Sequence, residues 1–275
     1  MIIGITGAGG FIGKNLTKAL LQKGHQVIGL NRGFDSVQVG HCDVVFNLAG
    51  ASINRRWSKK GMEEIFSSRI GTTRRLCSMI REGSKVKLMV STSATGIYST
   101  NDHLKHDEYH NTIGNGFLAD VCKAWENEAL SASDITRVVI ARLGVVMDQS
   151  GGALPKMALP FKFGVTAIFG NGSQIISWIM LEDLIRAFVS IAENNCIPNG
   201  NIVNMCAPNP ITYKELANKL SELYKTFAKI RIPGFVLKTA MGEASSIILE
   251  GQHVTSKILQ ECGFNFTNPS FTLKK

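Results

Sequence analysis

The chain has 275 residues, of which 44% are hydrophobic and 19% are charged. This balance favours a folded protein with a packed core, and no apolar run is long enough to predict a transmembrane helix. The net charge of +9 is scattered along the chain. It therefore favours a site for an anionic small molecule and makes a nucleic-acid partner a weaker hypothesis.

The first half of the chain alternates short apolar runs with amphipathic stretches. The apolar runs predict strands at residues 1–6, 26–30, 43–48, 87–92 and 136–143. The amphipathic spacing predicts helices at residues 14–23, 58–81 and 117–130. Strands that alternate with helices form a parallel sheet with short right-handed connections, so we predict an α/β fold with a doubly wound, Rossmann-type sheet.

The pattern loosens after Gly144, where glycine and proline become frequent and predict loops. Later segments predict helices at 181–193, from Ile211-Thr212 to about Phe227, at 234–241 and at 256–262, and a strand at 201–205. We therefore predict a nucleotide-binding domain over residues 1–150, to which residues 178–206 return. Residues 151–177 and 207–275 are predicted to form a smaller C-terminal lobe on the substrate side.

The stretch "ITGAGGFIG" joins the first strand to the first helix. In such a turn Gly7 permits the tight bend, Gly10 lets the backbone approach a pyrophosphate, and Gly13 lets the helix pack against the strand. Phe11 and Ile12 lie between these glycines, just ahead of the predicted helix, whose free N–H groups attract negative charge. The turn therefore predicts a dinucleotide site formed by these five residues.

The end of the second strand decides between NAD and NADP. An acidic residue there binds the ribose hydroxyl of NAD, whereas an arginine accommodates the additional phosphate of NADP. This chain has Asn31-Arg32 at that point, and Asp35 lies beyond the usual place. We expect NADP(H), with Arg32 on the phosphate, and regard NAD as the weaker alternative.

Only about a dozen residues separate Leu30 from Asp43, which is too few for a helix and a further strand. We therefore predict that the sheet is shortened at this edge.

Several segments resemble the extended branch of the short-chain dehydrogenase/reductase superfamily. They are Asn47-Leu48-Ala49-Gly50, Gly71-Thr72 and "STSAT" at 91–95. Further segments narrow the resemblance to the nucleoside-diphosphate-sugar epimerase family. These are Trp57, Ser68-Arg69, "SATGIY" at 93–98, Trp125-Glu126, "RLGVVM" at 142–147, "GGALPKM" at 151–157, "GNGSQIISWI" at 170–179 and "MGEASSIILEGQ" at 241–252.

The resemblance implies an NAD(P)-dependent epimerase or oxidoreductase whose small-molecule substrate is a nucleotide sugar. It places Leu48, Ala49 and Gly50 along the cofactor cleft, with Glu64 and Arg69 reaching the cleft from the long helix.

The superfamily uses a Tyr-x-x-x-Lys pair as its proton relay. Aligning Trp125-Glu126 with the family puts Leu118 and Cys122 at those two positions. Ser93 matches the substrate-side serine, and Tyr98 is a candidate to replace the lost tyrosine. The missing pair leaves two hypotheses open, an active oxidoreductase and a silent NADP(H)-dependent sensor or scaffold.

The six cysteines form no Cys-x-x-Cys pair, and the histidines show no metal-ligand spacing with carboxylates. We expect reduced thiols, no metal site, a cytoplasmic location and no membrane partner. The helices predicted at 58–81 and 117–130 are candidates for a homodimer interface.

Overall fold

The computed structural model describes residues 1–100 and 104–273, and its centre is a parallel sheet of six strands. In chain order the strands are β1 (Ile2–Thr6), β2 (Gln26–Leu30), β3 (Val44–Asn47), β4 (Leu88–Ala94), β5 (Lys105–His106), β6 (Arg137–Leu143), β7 (Val145–Met147), β8 (Val165–Phe169), β9 (Ile175–Ile176), β10 (Trp178–Met180), β11 (Ile202–Met205), β12 (Ile211–Thr212), β13 (Ala228–Ile232) and β14 (His253–Val254).

The helices connect these strands and flank the sheet. They are α1 (Phe11–Gln22), α2 (Ser36–Gly40), α3 (Lys59–Arg81), α4 (Phe117–Leu130), α5 (Leu154–Met157), α6 (Leu159–Lys162), α7 (Leu181–Glu193), α8 (Tyr213–Tyr224), α9 (Gly234–Met241), α10 (Ser246–Leu249) and α11 (Ile258–Glu261). Short 3₁₀ helices cover Thr95–Ile97 and Gly242–Ser245.

The strands of the central sheet run in the order β11-β6-β4-β3-β1-β2, and every neighbouring pair is parallel. Side chains of α1 and α7 cover one face, and side chains of α3 and α4 cover the other. This architecture confirms the predicted Rossmann-type α/β fold. The chain leaves β1 for β2 on one side and then returns to β3 on the other, so a crevice opens at the carboxyl ends of β1 and β3.

The predicted shortening of the sheet is also confirmed, because β2 is its last strand on that side in the described part of the chain. A turn closed by the Phe34 N–H on the Asn31 carbonyl (2.9 Å) leads directly into the short helix α2. The Asp35 carboxylate caps this helix by accepting the Gln38 N–H at 2.9 Å. Asp35 is therefore occupied by a local structural role.

A third hydrophobic core lies apart from the two that cover the sheet. It joins α5, α6 and α8 to Trp178 and to Phe271 near the end of the described chain, and the two aromatic rings meet edge to face with centroids 5.1 Å apart. The predicted smaller lobe rests on this core. The domain boundaries at residues 150, 178 and 206 stay a prediction.

Some predicted boundaries differ from the observed ones. Helix α1 begins at Phe11 and not at residue 14, because it starts directly after the glycine turn. Thr212 caps α8 as predicted, in a reciprocal pair with Glu215, but the helix ends at Tyr224 because Lys225 adopts a left-handed conformation with φ of 50°. The region expected to be loops holds the short elements β7 to β10, α5 and α6.

The expectation of six reduced thiols is wrong for one pair, because Cys196 and Cys262 form a disulfide with Cα atoms 5.8 Å apart. These residues are 66 positions apart, and only the packing of the segment after α7 against α11 brings them together. The other four cysteines are free and buried. Burial raises the pKa of the Cys77 thiol to about 11, so this thiol stays protonated at neutral pH.

No helix in the described residues combines the length and the apolar character that a membrane crossing requires.

The disulfide gives a direct test of the C-terminal packing. Replacing Cys196 and Cys262 with serine should lower the free energy of unfolding by about 2–4 kcal/mol, because the unfolded chain regains the freedom that the cross-link removes. Urea denaturation measures this change, and wild-type protein treated with a reductant is the matched control. Thiol titration of the denatured, unreduced protein should find the four free cysteines. Six reactive thiols and an unchanged urea midpoint would contradict the pairing.

Candidate functional site

The turn between β1 and α1 is held by a very close backbone approach. Gly7 has φ of +70°, a conformation that favours glycine. A Cβ atom added to Gly13 would lie 2.3 Å from the Gly7 carbonyl oxygen and 2.8 Å from the Ala8 Cα. Only glycine fits at position 13, so the first turn of the helix lies directly against the loop.

The N-terminus of α1 carries unsatisfied donors. Its N-cap is Gly10, which provides no capping side chain. The amides of Phe11, Ile12 and Gly13 have no acceptor among the described residues. A Cβ atom on Gly9 would meet nothing within 4 Å, so the outer side of the turn is open. Free amides and the helix dipole together make this a site for a phosphate group.

The segment after β3 forms the adjoining wall of this crevice. The amides of Leu48 and Ala49 both donate to the Thr6 hydroxyl, at 3.1 Å and 3.2 Å. The Leu48 carbonyl oxygen would lie 3.0 Å from a Cβ atom on Gly7. The structure therefore brings the predicted cofactor residues Leu48, Ala49 and Gly50 beside the glycine turn.

The structure separates Glu64 from Arg69, the two residues predicted to reach the cleft from α3. Arg69 packs against Gly50, where an added Cβ atom would lie 3.0 Å from its guanidinium carbon. Its guanidinium donates to the Ala51 carbonyl at 3.1 Å, so it braces the backbone at the cleft edge. Glu64 instead pairs with Arg55 on the surface of the loop before the helix.

Arg32 lies at the carboxyl end of β2 with an exposed side chain. Its guanidinium has no partner within residues 1–100 and 104–273, whereas its own carbonyl oxygen accepts from Arg75 at 2.9 Å. Arg75 also donates to the Phe34 carbonyl and lies over the Phe34 ring, 4.7 Å from its centroid. Arg75 thus fixes the backbone of this loop and leaves the guanidinium of Arg32 free to bind an anion.

A buried hydrogen-bond network connects the strand ends beneath the crevice. The Thr6 hydroxyl donates to Asn47 Oδ1 at 2.8 Å, and Asn47 Nδ2 donates to Thr73 Oγ1 at 2.7 Å and to Ser91 Oγ at 3.1 Å. The Trp125 indole N–H also donates to Thr73 Oγ1, at 2.9 Å. This network joins β1, β3 and β4 to α3 and α4.

Ser93 does not stand free at the end of β4. It is buried, and its hydroxyl donates to Glu126 Oε1 at 2.6 Å. The same carboxylate accepts two hydrogen bonds from the Arg142 guanidinium, at 2.8 Å and 2.7 Å, and both charged side chains are buried. Burial opposes the charge of Arg142, but the Glu126 carboxylate beside it raises the pKa of the arginine, so the ion pair persists.

Tyr98 extends this cluster away from the crevice. Its ring lies under Arg142, whose guanidinium carbon is 4.8 Å from the ring centroid, and stacks on His106. Its hydroxyl donates to Asn204 Oδ1 at 2.7 Å. The side chain is buried, and burial raises the pKa of Tyr98 to about 12. This environment favours a packing role over proton transfer near neutral pH.

Leu118 and Cys122, which the resemblance puts at the relay positions, lie on the face of α4 that meets β4 and the following 3₁₀ helix. Leu118 packs beside Gly96, where an added Cβ atom would be 3.8 Å from the leucine Cβ. Cys122 is buried, and burial raises the pKa of its thiol to about 11. Phe117, at the start of the helix, meets the Trp57 ring with centroids 5.1 Å apart. Phe117 and Leu118 therefore make the start of this helix apolar, whereas Cys122 lies beside the polar cluster of Ser93 and Glu126.

Two features of the site were not predicted from the sequence. Glu126 and Arg142 occur there only within family motifs, although a charged residue inside a buried parallel strand indicates a buried partner. Asn47 likewise occurs within a family motif. Its hydrogen bonds to β1, β4 and α3 could not be predicted before the fold was known. No group of three or more His, Cys, Asp or Glu side chains among the residues with described positions could hold a metal ion.

Comparison with known proteins agrees with this geometry. Residues 3–206 match the NAD dependent epimerase/dehydratase family, and residues 232–272 match a domain of unknown function, DUF1731. Epimerase family protein YfhF of Bacillus subtilis is 34% identical, and the match covers 97% of this chain and 94% of that protein.

Two solved structures are similar along almost the whole chain. Human epimerase family protein SDR39U1 (isoform 2), solved with NADPH, is 29% identical with a TM-score of 0.89, and the match covers 98% of this chain and 96% of the human chain. The nucleoside-diphosphate sugar epimerase of Corynebacterium glutamicum is 27% identical with a TM-score of 0.80, over 98% of this chain and 56% of that one. The chain therefore belongs to the NAD dependent epimerase/dehydratase family.

Proposed function

We propose that this chain is an NADP(H)-dependent oxidoreductase of the epimerase type. The observation that carries the proposal is the uncapped N-terminus of α1 beside an exposed, unpartnered Arg32. A dinucleotide with an additional ribose phosphate offers one anionic group for each of these two positive sites.

Each cofactor contact has a residue suited to it. The amides of Phe11, Ile12 and Gly13 would hold the pyrophosphate, and the segment Leu48–Gly50 would line the cleft beyond it. Asn31 and Arg32 would hold the ribose phosphate at the end of β2. When bound, the nicotinamide supplies hydride chemistry, and the protein contributes orientation and electrostatics.

Two observations support NADP(H) over NAD. The human relative SDR39U1 was solved with NADPH. In this chain the nearby carboxylate, Asp35, already caps α2, so it has less capacity to accept from a ribose hydroxyl. Arg32 is then the charged side chain near the end of β2 that is free to act on the cofactor.

For the substrate we propose a small molecule, with a nucleotide sugar as the first class to test. The support is the name of the Corynebacterium glutamicum relative, a nucleoside-diphosphate sugar epimerase. We propose that Ser93 lies on the substrate side of the site. Its role there is structural, because its buried hydroxyl donates to Glu126 and so fixes the end of β4.

A second candidate function is a silent NADP(H)-dependent sensor or scaffold. The hydroxyls of Ser93 and Tyr98 are both committed to buried partners, and this observation favours it. NADPH oxidation with a panel of carbonyl compounds separates the two, because a sensor binds the cofactor tightly and turns over nothing. A cytoplasmic location and a homodimer through α3 and α4 stay predictions.

Replacing Arg32 with alanine tests the cofactor preference. NADPH affinity should fall by about 10- to 100-fold, because a charge-assisted hydrogen bond to the ribose phosphate is lost. NADH affinity should change by less than about twofold, since NADH has no phosphate at that position. Calorimetric titration with both cofactors measures this, and Arg81→Ala, which removes an arginine from the far end of α3, is the matched control. Equal losses for NADPH and NADH would refute the assignment of Arg32.

Tyr98→Phe separates a packing role from a catalytic one. The variant leaves Asn204 Oδ1 buried without its donor, so the free energy of unfolding should fall by about 1–2 kcal/mol while NADPH affinity stays the same. Urea denaturation and cofactor titration measure the two quantities, and the exposed Tyr109→Phe is the control. Unchanged stability together with lost NADPH turnover would instead assign Tyr98 to the reaction.

A further inference from the structure

The C-terminal lobe carries a surface that is both apolar and basic, which we name the lobe face. It consists of α6, residues 163–164, Lys225 to Phe227, β13 and α9. Three phenylalanines on it protrude strongly: Phe163 is 74% exposed, Phe227 86% and Phe235 71%. Other exposed apolar side chains on the same segments are Leu159, Ile230, Val236 and Met241.

The segments of the lobe face form one continuous surface. The Phe227 amide donates to the Gly164 carbonyl at 2.9 Å, and β13 pairs in parallel with β8 from there onward. A Cβ atom on Gly164 would lie 2.1 Å from the Phe227 ring, so that ring covers the glycine next to Phe163. Pro233 then connects β13 directly to α9.

The lobe face lacks internal packing partners. Helix α9 has no buried residue, although Phe235, Val236 and Leu237 lie in its first half. The three central residues of β13, Lys229, Ile230 and Arg231, are all exposed, so neither face of this strand is fully covered within the described chain. Exposed apolar clusters of this kind mark contact surfaces for proteins or membranes.

The charged side chains on the segments of the lobe face all have one sign. No carboxylate occurs in the sequence between Asp148 and Glu182 or between Glu222 and Glu243, which brackets all the segments involved. The cations on the same segments are Lys162, Lys225, Lys229, Arg231 and Lys238. Arg231 donates through Nε to the Gly170 carbonyl at 2.8 Å. The other four side chains have no acidic partner among the described residues.

This charge distribution decides between occupants. A twofold dimer through the lobe face would place these cations against their own copies, which is unfavourable. An acidic protein would satisfy the charges, but protein partners usually receive aromatic side chains in matching pockets and offer them in return. Separate, protruding phenylalanines set among lysines suit a fluid anionic surface that deforms around each ring.

We propose that the lobe face binds the surface of an anionic lipid bilayer, with Phe163, Phe227 and Phe235 inserted at the headgroup boundary. The cations would lie among the lipid phosphates. The expectation of no membrane partner rested on the absence of a spanning apolar run, and a surface contact requires no such run.

Cosedimentation of the full chain with lipid vesicles tests this assignment. The probe is vesicles of about 30% phosphatidylglycerol in phosphatidylcholine, compared with vesicles of pure phosphatidylcholine. Each lysine or arginine near the anionic surface should increase the affinity of the protein for the vesicle by about fivefold. We expect binding to the anionic vesicles, at least tenfold weaker binding to the neutral ones, and release at about 0.5 M salt. Absence of binding to anionic vesicles, or equal binding to both, would overturn the proposal.

Two variants separate the apolar and electrostatic contributions. The double variant Phe227→Ser, Phe235→Ser should weaken vesicle binding at least tenfold. The control is the double variant Leu21→Ser, Ile135→Ser, which replaces exposed apolar residues elsewhere on the protein. Lys229→Glu with Lys238→Glu should have a similar effect, and Lys23→Glu, at the exposed residue just after α1, is its control. Circular dichroism and NADPH titration verify that each variant is folded.

Other occupants give distinct results. Vesicle binding that is unchanged in both double variants would contradict the proposal. A dimer would also contradict it, if analytical ultracentrifugation finds the wild type dimeric and only the phenylalanine variant monomeric. The lobe face would then be the interface with a second copy of the chain. Retention on immobilised polyglutamate without vesicle binding would instead identify an acidic protein surface.

Discussion

The close approach of Gly13 to the Gly7 carbonyl is the contact on which the site depends. Any side chain at position 13 would collide with the backbone of the turn, so glycine there lets α1 start directly at the carboxyl end of β1. The first amides of the helix consequently point, without a side-chain cap, into the crevice between β1 and β3. A backbone geometry thus becomes an electrostatic site for phosphate.

Two buried polar clusters keep the strand ends in position around that turn. Asn47 joins three strands and α3 through short hydrogen bonds, and Glu126 with Arg142 joins α4 to β6. Buried charges are costly unless paired, and here both oxygens of the Glu126 carboxylate accept hydrogen bonds from the Arg142 guanidinium. The same contacts engage Ser93, and Arg142 covers the ring of Tyr98. The arrangement that rigidifies the crevice therefore engages the hydroxyl groups of Ser93 and Tyr98 in buried hydrogen bonds.

The sequence was informative where local chemistry decides the structure. Hydrophobic periodicity and the glycine spacing predicted the parallel sheet, the turn and the position of Arg32, and the short Leu30–Asp43 connection predicted the missing edge strand. Contacts between distant segments were not predictable: the Cys196–Cys262 pair depends on how α11 docks after α7. The end of α8 was misplaced by three residues because nothing in the local pattern signals a left-handed Lys225.

A crystal structure of the chain with NADPH would show both proposed phosphate contacts at once. We expect pyrophosphate oxygens about 2.7–3.2 Å from the amide nitrogens of Ile12 or Gly13, and the ribose phosphate against the guanidinium of Arg32. A complex in which the pyrophosphate lies away from the N-terminus of α1, or in which the ribose phosphate makes no contact with Arg32, would contradict it.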